Sequence, residues 1–210
     1  MQRLATFALL AASAAPGAEF PDPVLDQKPA TGLQKAVLGG GCFWCTEVVY
    51  QYVEGVTKVV SGYSGGTKQT ANYRAVSTGE TGHAEVIEVT YDPKKVSYGQ
   101  LLRVFFEVAH DPTQLNRQGP DVGPQYRSVI FYANDEQKQI AEAYIAQLNA
   151  AQVFKKKIVT QVAPLQAFYP AEEYHQDYVN QNPFNPYVRV NALPKVDKLK
   201  KACPRLVRKK

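Results

Sequence analysis

Three consecutive glycines, Gly39 to Gly41, separate an apolar run, KAVLGG (35–40), from CFWCTEVVYQYV (42–53), whose apolar residues recur at helical spacing until Gly55. The pattern demands a strand that turns sharply into a helix, with Cys42 at the helix entry and Cys45 one turn on. Glycine lets the backbone bend there and leaves room for a substrate. Free N–H groups and the positive end of the helix dipole favour a thiolate over a thiol, so Cys42 is expected to have a lowered pKa and to be the better nucleophile.

The following segments continue the alternation. VTKVVSGYSGG (56–66) is a β-branched strand ending in a Gly-rich turn, and HAEVIEVTYD (83–92) is a second strand closed by Asp92-Pro93. Ser97 is placed to cap a helix carrying Leu101, Leu102, Phe105, Phe106 and Val108. A polar stretch without periodicity, HDPTQLNRQGPDVGPQ, follows, and a loop that long in a compact domain is often functional. YRSVIFYA (126–133) predicts a strand, 135–152 a helix, and KIVTQVAPL (157–165) a strand, while the last forty residues read as irregular apart from a short helix around AEEYHQDY. The order implies an α+β, two-layer sandwich of the ferredoxin-like, split β-α-β type, with an added helix, strand and long loops and an irregular C-terminal tail.

Composition limits the function classes. Of the net charge of +5, residues 195–210 supply eight basic side chains and one acid, so the rest of the chain is slightly acidic. That distribution points away from a nucleic-acid interface and towards a solvated basic terminus. The start, MQRLATFALLAASAAPGAEF, has a basic residue, a short apolar run and small residues around Ala15 to Ala18, the layout of a secretory signal. The expected organisation is a signal over 1–18, a Pro-rich linker over 19–33, a catalytic domain over 34–190 and a basic tail over 191–210. The expected location is extracytoplasmic, periplasmic or secreted, or membrane-tethered if the signal is retained.

Three cysteines do not make a disulfide scaffold, and a CxxC pair has three common uses. Half of a zinc site would need two more ligands from Cys203, His83, His110 and His175, none of which form a second close pair. A thiol–disulfide exchanger would usually carry a small residue or proline between the cysteines. A nucleophile beside an apolar slot would use Phe43 and Trp44 as its walls. Taken alone, Glu85 reads as a strand carboxylate, Tyr73 and Tyr126 as packing residues, and Asp121 as a turn former.

Six fragments in order change that balance. GCFW at the strand-to-helix turn, SGYSGG, NYR, TGHAEVIEVTYDP, DVGPQYRSVI and YHQDY resemble the A-type peptide methionine sulfoxide reductases, the MsrA family, over about residues 35–190. The resemblance implies that Cys42 attacks the sulfur of methionine S-sulfoxide, in proteins or free, leaving methionine and a sulfenic acid on Cys42. It implies that Glu85 donates the proton, that Tyr73 and Tyr126 hold the sulfoxide oxygen, and that Asp121 orders the site. Phe43 and Trp44 would grip the methyl group and keep Glu85 protonated. No metal or organic cofactor is implied. Electrons would come from thioredoxin or a similar dithiol, the partners would be oxidised proteins and peptides, and the enzyme would act as a monomer in protein repair.

One departure bears on recycling. Many family members have glycine at the position of Cys45 and take their resolving cysteine from a Gly-rich C-terminal segment. Here that segment is replaced, and Cys203 lies in the basic tail. Cys45 within the same helical turn, or Cys203 on a mobile arm, could then resolve the sulfenic acid. The local pair needs no loop closure, so Cys45 is the favoured reading.

Overall fold

The computed structural model describes residues 20–209, so the expected signal segment lies outside the described residues. The chain begins with β1 (Gln34–Gly40), α1 (Phe43–Gln51), β2 (Val56–Ser64), the short α2 (Tyr73–Val76) and β3 (Ala84–Tyr91). Next come α3 (Tyr98–Val104), extended by a π-helical turn over Phe105–Ala109, and a small hairpin of β4 (Arg117–Gln118) and β5 (Asp121–Val122). Then follow β6 (Ser128–Tyr132), α4 (Asp135–Ala150), β7 (Gln161–Pro164), β8 (Tyr169–Pro170) and α5 (Tyr178–Gln181). A second π-helical turn, Val188–Ala192, leads into α6 (Leu193–Ala202).

The sheet runs β7-β6-β1-β3-β2-β8. Its four central strands pair antiparallel in the order β6-β1-β3-β2, the split β-α-β plait expected from the sequence. The added helix α4 crosses back so that β7 joins parallel to β6, and β8 adds antiparallel to β2. Ser97 caps α3 through a reciprocal capping box with Gln100, and Asn134 accepts from Gln137 N to cap α4.

The two-residue period of the strands sorts side chains between faces. Leu38, Ile87, Val89 and Ile130 turn towards the helices and pack with Tyr50, Leu101, Phe105 and Tyr144. Val37, Val86, Val129 and Phe131 form a smaller cluster on the other face, under Leu165 and Phe168. Burying each large apolar side chain contributes roughly 1.5–3 kcal/mol. By the same period Glu85, two residues before Ile87, emerges on the helix side, beside the entry of α1.

Residues 20–33 contain no helix or strand, yet they are bonded along the domain. Asp26 accepts from Ser97 Oγ and, at 2.7 Å, from Gly99 N, and Gln27 Oε1 accepts from Tyr98 N and the Tyr91 hydroxyl.

The C-terminal residues depart from expectation: the tail is not irregular but helical, and it is packed on the domain. Val188, Ala192, Val196, Leu199 and Cys203 recur every three or four residues and form a buried stripe against α1 and the first π-helical turn. Lys198, Lys200 and Lys201 between them are exposed, whereas Lys195 is half-buried. Lys195 Nζ donates to Ala109 O at 2.7 Å, and Val207 pairs with Val53 while Arg208 N donates to Tyr52 O.

Candidate active site

Gly41 has φ +91°, and a Cβ placed there would lie 2.5 Å from Gln118 Cβ, so only glycine fits this turn. The space beside it is filled by Gln118, whose amide bonds both the N–H and the C=O of Asp111 and locks the polar loop. The glycine thus makes room for a side chain of the protein. The loop that read as structureless is pinned further by the Asp111 carboxylate, which accepts from Thr113 and Gln114.

Cys42 is the N-cap residue of α1, and its carbonyl accepts from Cys45 N at 3.1 Å. Its sulfur makes no capping hydrogen bond. The Phe43 N–H, which a thiolate would have used, donates instead to Glu85 Oε2 at 3.0 Å. Burial, then Cys45, then Glu85 push the Cys42 thiol well above its ordinary range. This corrects the expectation of a lowered value: the helix terminus is committed to the carboxyl group, and the sulfur sits in a desolvated pocket. The thiolate character appears one turn on. A hydrogen bond from Cys42, helped by the charge of Lys195, brings Cys45 down to about 7 against the opposing effect of burial.

Glu85 is buried, which raises its carboxyl to about 8 despite the bond from Phe43. It is therefore largely a neutral acid at pH 7, next to the sulfur pair. Tyr73 and Tyr126 are both raised by burial and then by the charges of Glu85, Asp121 and Cys42, so the two phenols share this site. Asp121 arrives on β5 through the two-residue turn of the hairpin. Its carboxylate accepts the Tyr187 hydroxyl at 2.6 Å, and Cys45 Sγ lies 3.9 Å from the same hydroxyl. A cavity of about 70 Å³ is lined by Cys42, Cys45, Gln118, Asp121, Tyr187 and Lys195.

The aromatic wall is built from the YHQDY segment. Trp44 stacks on Tyr178 at 3.7 Å between ring centroids, and its Nε1–H donates to His175 Nδ1 at 3.2 Å. Phe43 and Tyr73 also pack against the His175 ring, at 5.0 and 4.6 Å between centroids. Both Glu47 carboxylate oxygens accept Asp177 N at 3.1 Å, which fastens this segment to α1.

Cys42, Cys45, Glu85, Tyr73, Tyr126, Asp121, Phe43 and Trp44 are thus gathered at one end of α1, and Cys203 is not. It is buried at the C-terminus of α6, where its thiol donates to Glu107 at 3.4 Å and burial raises it to about 12. His83 turns away and binds Gly66 N and Thr67 O. Gln118, Tyr187 and Lys195 line the cavity without having carried a sequence expectation as site residues. Tyr187 follows the QNPFNP turn, and Lys195 was counted only as one more tail charge. Among the described residues no group of three or more His, Cys, Asp or Glu side chains could hold a metal ion.

A buried dithiol facing a neutral carboxylic acid and two phenols defines a thiol-based oxidoreductase site. A family model described as "Peptide methionine sulfoxide reductase" matches residues 34–206, and the chain belongs to that family. Peptide methionine sulfoxide reductase MsrA 2 of Mesorhizobium japonicum is 56% identical over 186 residues, covering 89% of this chain and 95% of that protein. MsrA 2 of Synechocystis sp. is 57% identical over 185 residues, 86% of each chain. Among solved structures, reduced Mxr1 of Saccharomyces cerevisiae has a TM-score of 0.67 at 34% identity, over 80% of this chain and 94% of that one. Methionine sulfoxide reductase A of Corynebacterium diphtheriae gives 0.63 at 35% identity, over 80% and 84%. The activity is reduction of methionine sulfoxide to methionine.

Proposed function

We propose that the enzyme works on the S epimer of methionine sulfoxide through Cys42, Glu85 and Cys45. The observation that carries this reading is the neutral, buried Glu85 held by the N–H of the residue next to Cys42. With Oε2 engaged, Oε1 is free to carry the proton. The Cys42–Cys45 pair shares one proton, and its transfer to Cys45 leaves the thiolate on Cys42. That sulfur bonds to the sulfoxide sulfur while Glu85 protonates the oxygen, and Tyr73 and Tyr126 donate hydrogen bonds to it. The hydroxyl then passes from the methionine sulfur to the Cys42 sulfur as the bond between the two sulfurs breaks, which yields methionine and a Cys42 sulfenic acid. Phe43 and Trp44 form the apolar wall for the methyl group, and Asp121 and Tyr187 steady the sulfur pair.

Cys45 resolves the intermediate: its sulfur displaces hydroxide from the Cys42 sulfenic acid, water leaves, and a disulfide remains. The position of Cys203 supports this choice, since it lies roughly 12 Å along α6 from Lys195 and is buried as an unreactive thiol. Thioredoxin or a thioredoxin-like dithiol protein reduces the disulfide and is itself oxidised. The N-terminal sequence supports an extracytoplasmic location, which N-terminal sequencing of the mature protein from the exported fraction tests.

The mechanism is tested by one turnover without reductant. Reduced protein is mixed with a methionine-S-sulfoxide peptide, alkylated, digested with trypsin and weighed. The peptide 36–58 should be two hydrogens lighter while methionine forms. A crosslink to the ACPR peptide (202–205) would move resolution to Cys203, and absence of methionine would sink the mechanism.

A further inference from the structure

A second cavity, of about 750 Å³, is lined by residues of the polar loop, the segment after α4, and α6. Arg117 of the hairpin, Lys155 and Lys156 after α4, and Lys198 of α6 line it. Phe106, Phe154 and the exposed Leu115 give it an apolar floor. Among the described residues, Lys155, Lys156 and Lys198 take part in no ion pair, and Arg117 makes one bond, to Gly119 O. Asp111, the one acid lining the cavity, already uses both carboxylate oxygens on Thr113 and Gln114. His110 adds no charge, because burial lowers it to about 3 and its nitrogens bond Phe105 O and Ser128. The cleft therefore carries a net positive charge, four cationic side chains against the single carboxylate of Asp111.

Its position relates it to catalysis. Gln118, next to Arg117 on β4, lines the redox pocket, and Lys195, one helical turn before Lys198, does the same. The two cavities are lined by neighbouring residues of β4 and of α6, and Gln118 bonds Asp111 of the cleft, so an extended chain with its sulfoxide at Cys42 has the cleft within a few residues' reach.

We propose that this cleft binds an acidic segment of the oxidised polypeptide, a few residues from the methionine sulfoxide being reduced. An open, cationic cleft with apolar side chains in its lining suits an extended acidic chain. A folded dithiol reductant presents a convex surface and fits it poorly. The proposal rests on the reductase reading and adds a selection rule to it: sulfoxides near Asp/Glu runs are preferred.

The test compares full-length wild type with Lys155→Glu/Lys156→Glu/Lys198→Glu, using dithiothreitol as reductant. Two peptides each carry one methionine sulfoxide, one with neutral flanks and one with an Asp/Glu run three to six residues away. Wild type should favour the acidic peptide about tenfold in kcat/KM, chiefly through KM, and the preference should vanish at high ionic strength and in the variant. Equal rates on the neutral peptide show that the variant is folded. Anisotropy of a labelled acidic peptide reads the cleft without turnover, so binding without methionine formation would separate a failed reductase reading from a failed cleft. No preference and no charge-dependent binding would overturn the proposal. So would a defect of the variant confined to assays with thioredoxin, which would make the cleft a reductant site.

Discussion

The backbone N–H of Phe43 donates to Glu85 at 3.0 Å, so the residue after Cys42 holds the carboxylic acid to which we assign the proton transfer. One bond therefore fixes the sulfur and the acid relative to each other, across the gap between α1 and β3. Replacing Glu85 by Gln keeps an acceptor for Phe43 but removes the proton. Methionine formation should fall by roughly 10²–10⁴-fold, with little change in KM, as read by single-turnover kinetics.

The same group sets one side of the pH profile. Glu85 is the donor only while protonated, so the rate should decline as pH rises through about 8. The sulfur pair needs one proton removed, so the rate should also decline as pH falls through about 7. A narrow bell for methionine formation is expected, and Glu85→Gln should lose its alkaline limb. A broad plateau extending beyond pH 9 would contradict the assignment.

Stability carries the same signature with a defined sign. A carboxyl whose folded value is raised binds its proton more tightly in the folded state, so stability declines as pH rises from about 4.5 to the folded value. Glu47, raised by burial to about 7, adds a second contribution of the same sign. Urea unfolding between pH 5 and 8 should show a shallower decline for Glu85→Gln than for wild type.

Lys195 Nζ sits on Ala109 O, in the cavity with Cys45, and its charge favours the Cys45 thiolate. In Lys195→Met, alkylation of Cys45 should require higher pH, and disulfide formation at pH 7 should slow about three- to tenfold. Lys195→Arg should restore most of the rate. An unchanged alkylation profile would mean the lysine acts only as a brace for α6.

Leu199 is fully buried between α6 and the main core. Leu199→Ala should cost about 2–5 kcal/mol in chemical denaturation. Cys203→Ala, by contrast, should turn over methionine sulfoxide as wild type does, with the loss confined to stability.

The alternation of β-branched strands and capped helices could be read directly, because Ser97, the Gly39–Gly41 turn and the period-two pattern of β3 act locally. The register that brings Glu85 to Cys42 followed from that pattern only with the family resemblance, since a strand carboxylate alone is unremarked. Two features depended on distant contacts. The buried stripe of α6 is hidden among lysines and becomes visible only against α1. The direction of the Cys42 shift depends on Glu85 taking the free N–H of the helix, which helix position by itself cannot reveal. Tyr187 likewise gains its meaning from Asp121, 66 residues earlier in the chain.

The stitch between Val207 and Val53 has a kinetic consequence. With the C-terminal segment fastened and Cys42 and Cys45 together at the start of α1, the resolution by Cys45 proposed above needs no arm to swing between the oxidised and reduced forms. Solvent viscosity should then slow turnover only through encounters with substrate and reductant, and an enzyme fixed to a solid support should keep its internal chemistry at full speed.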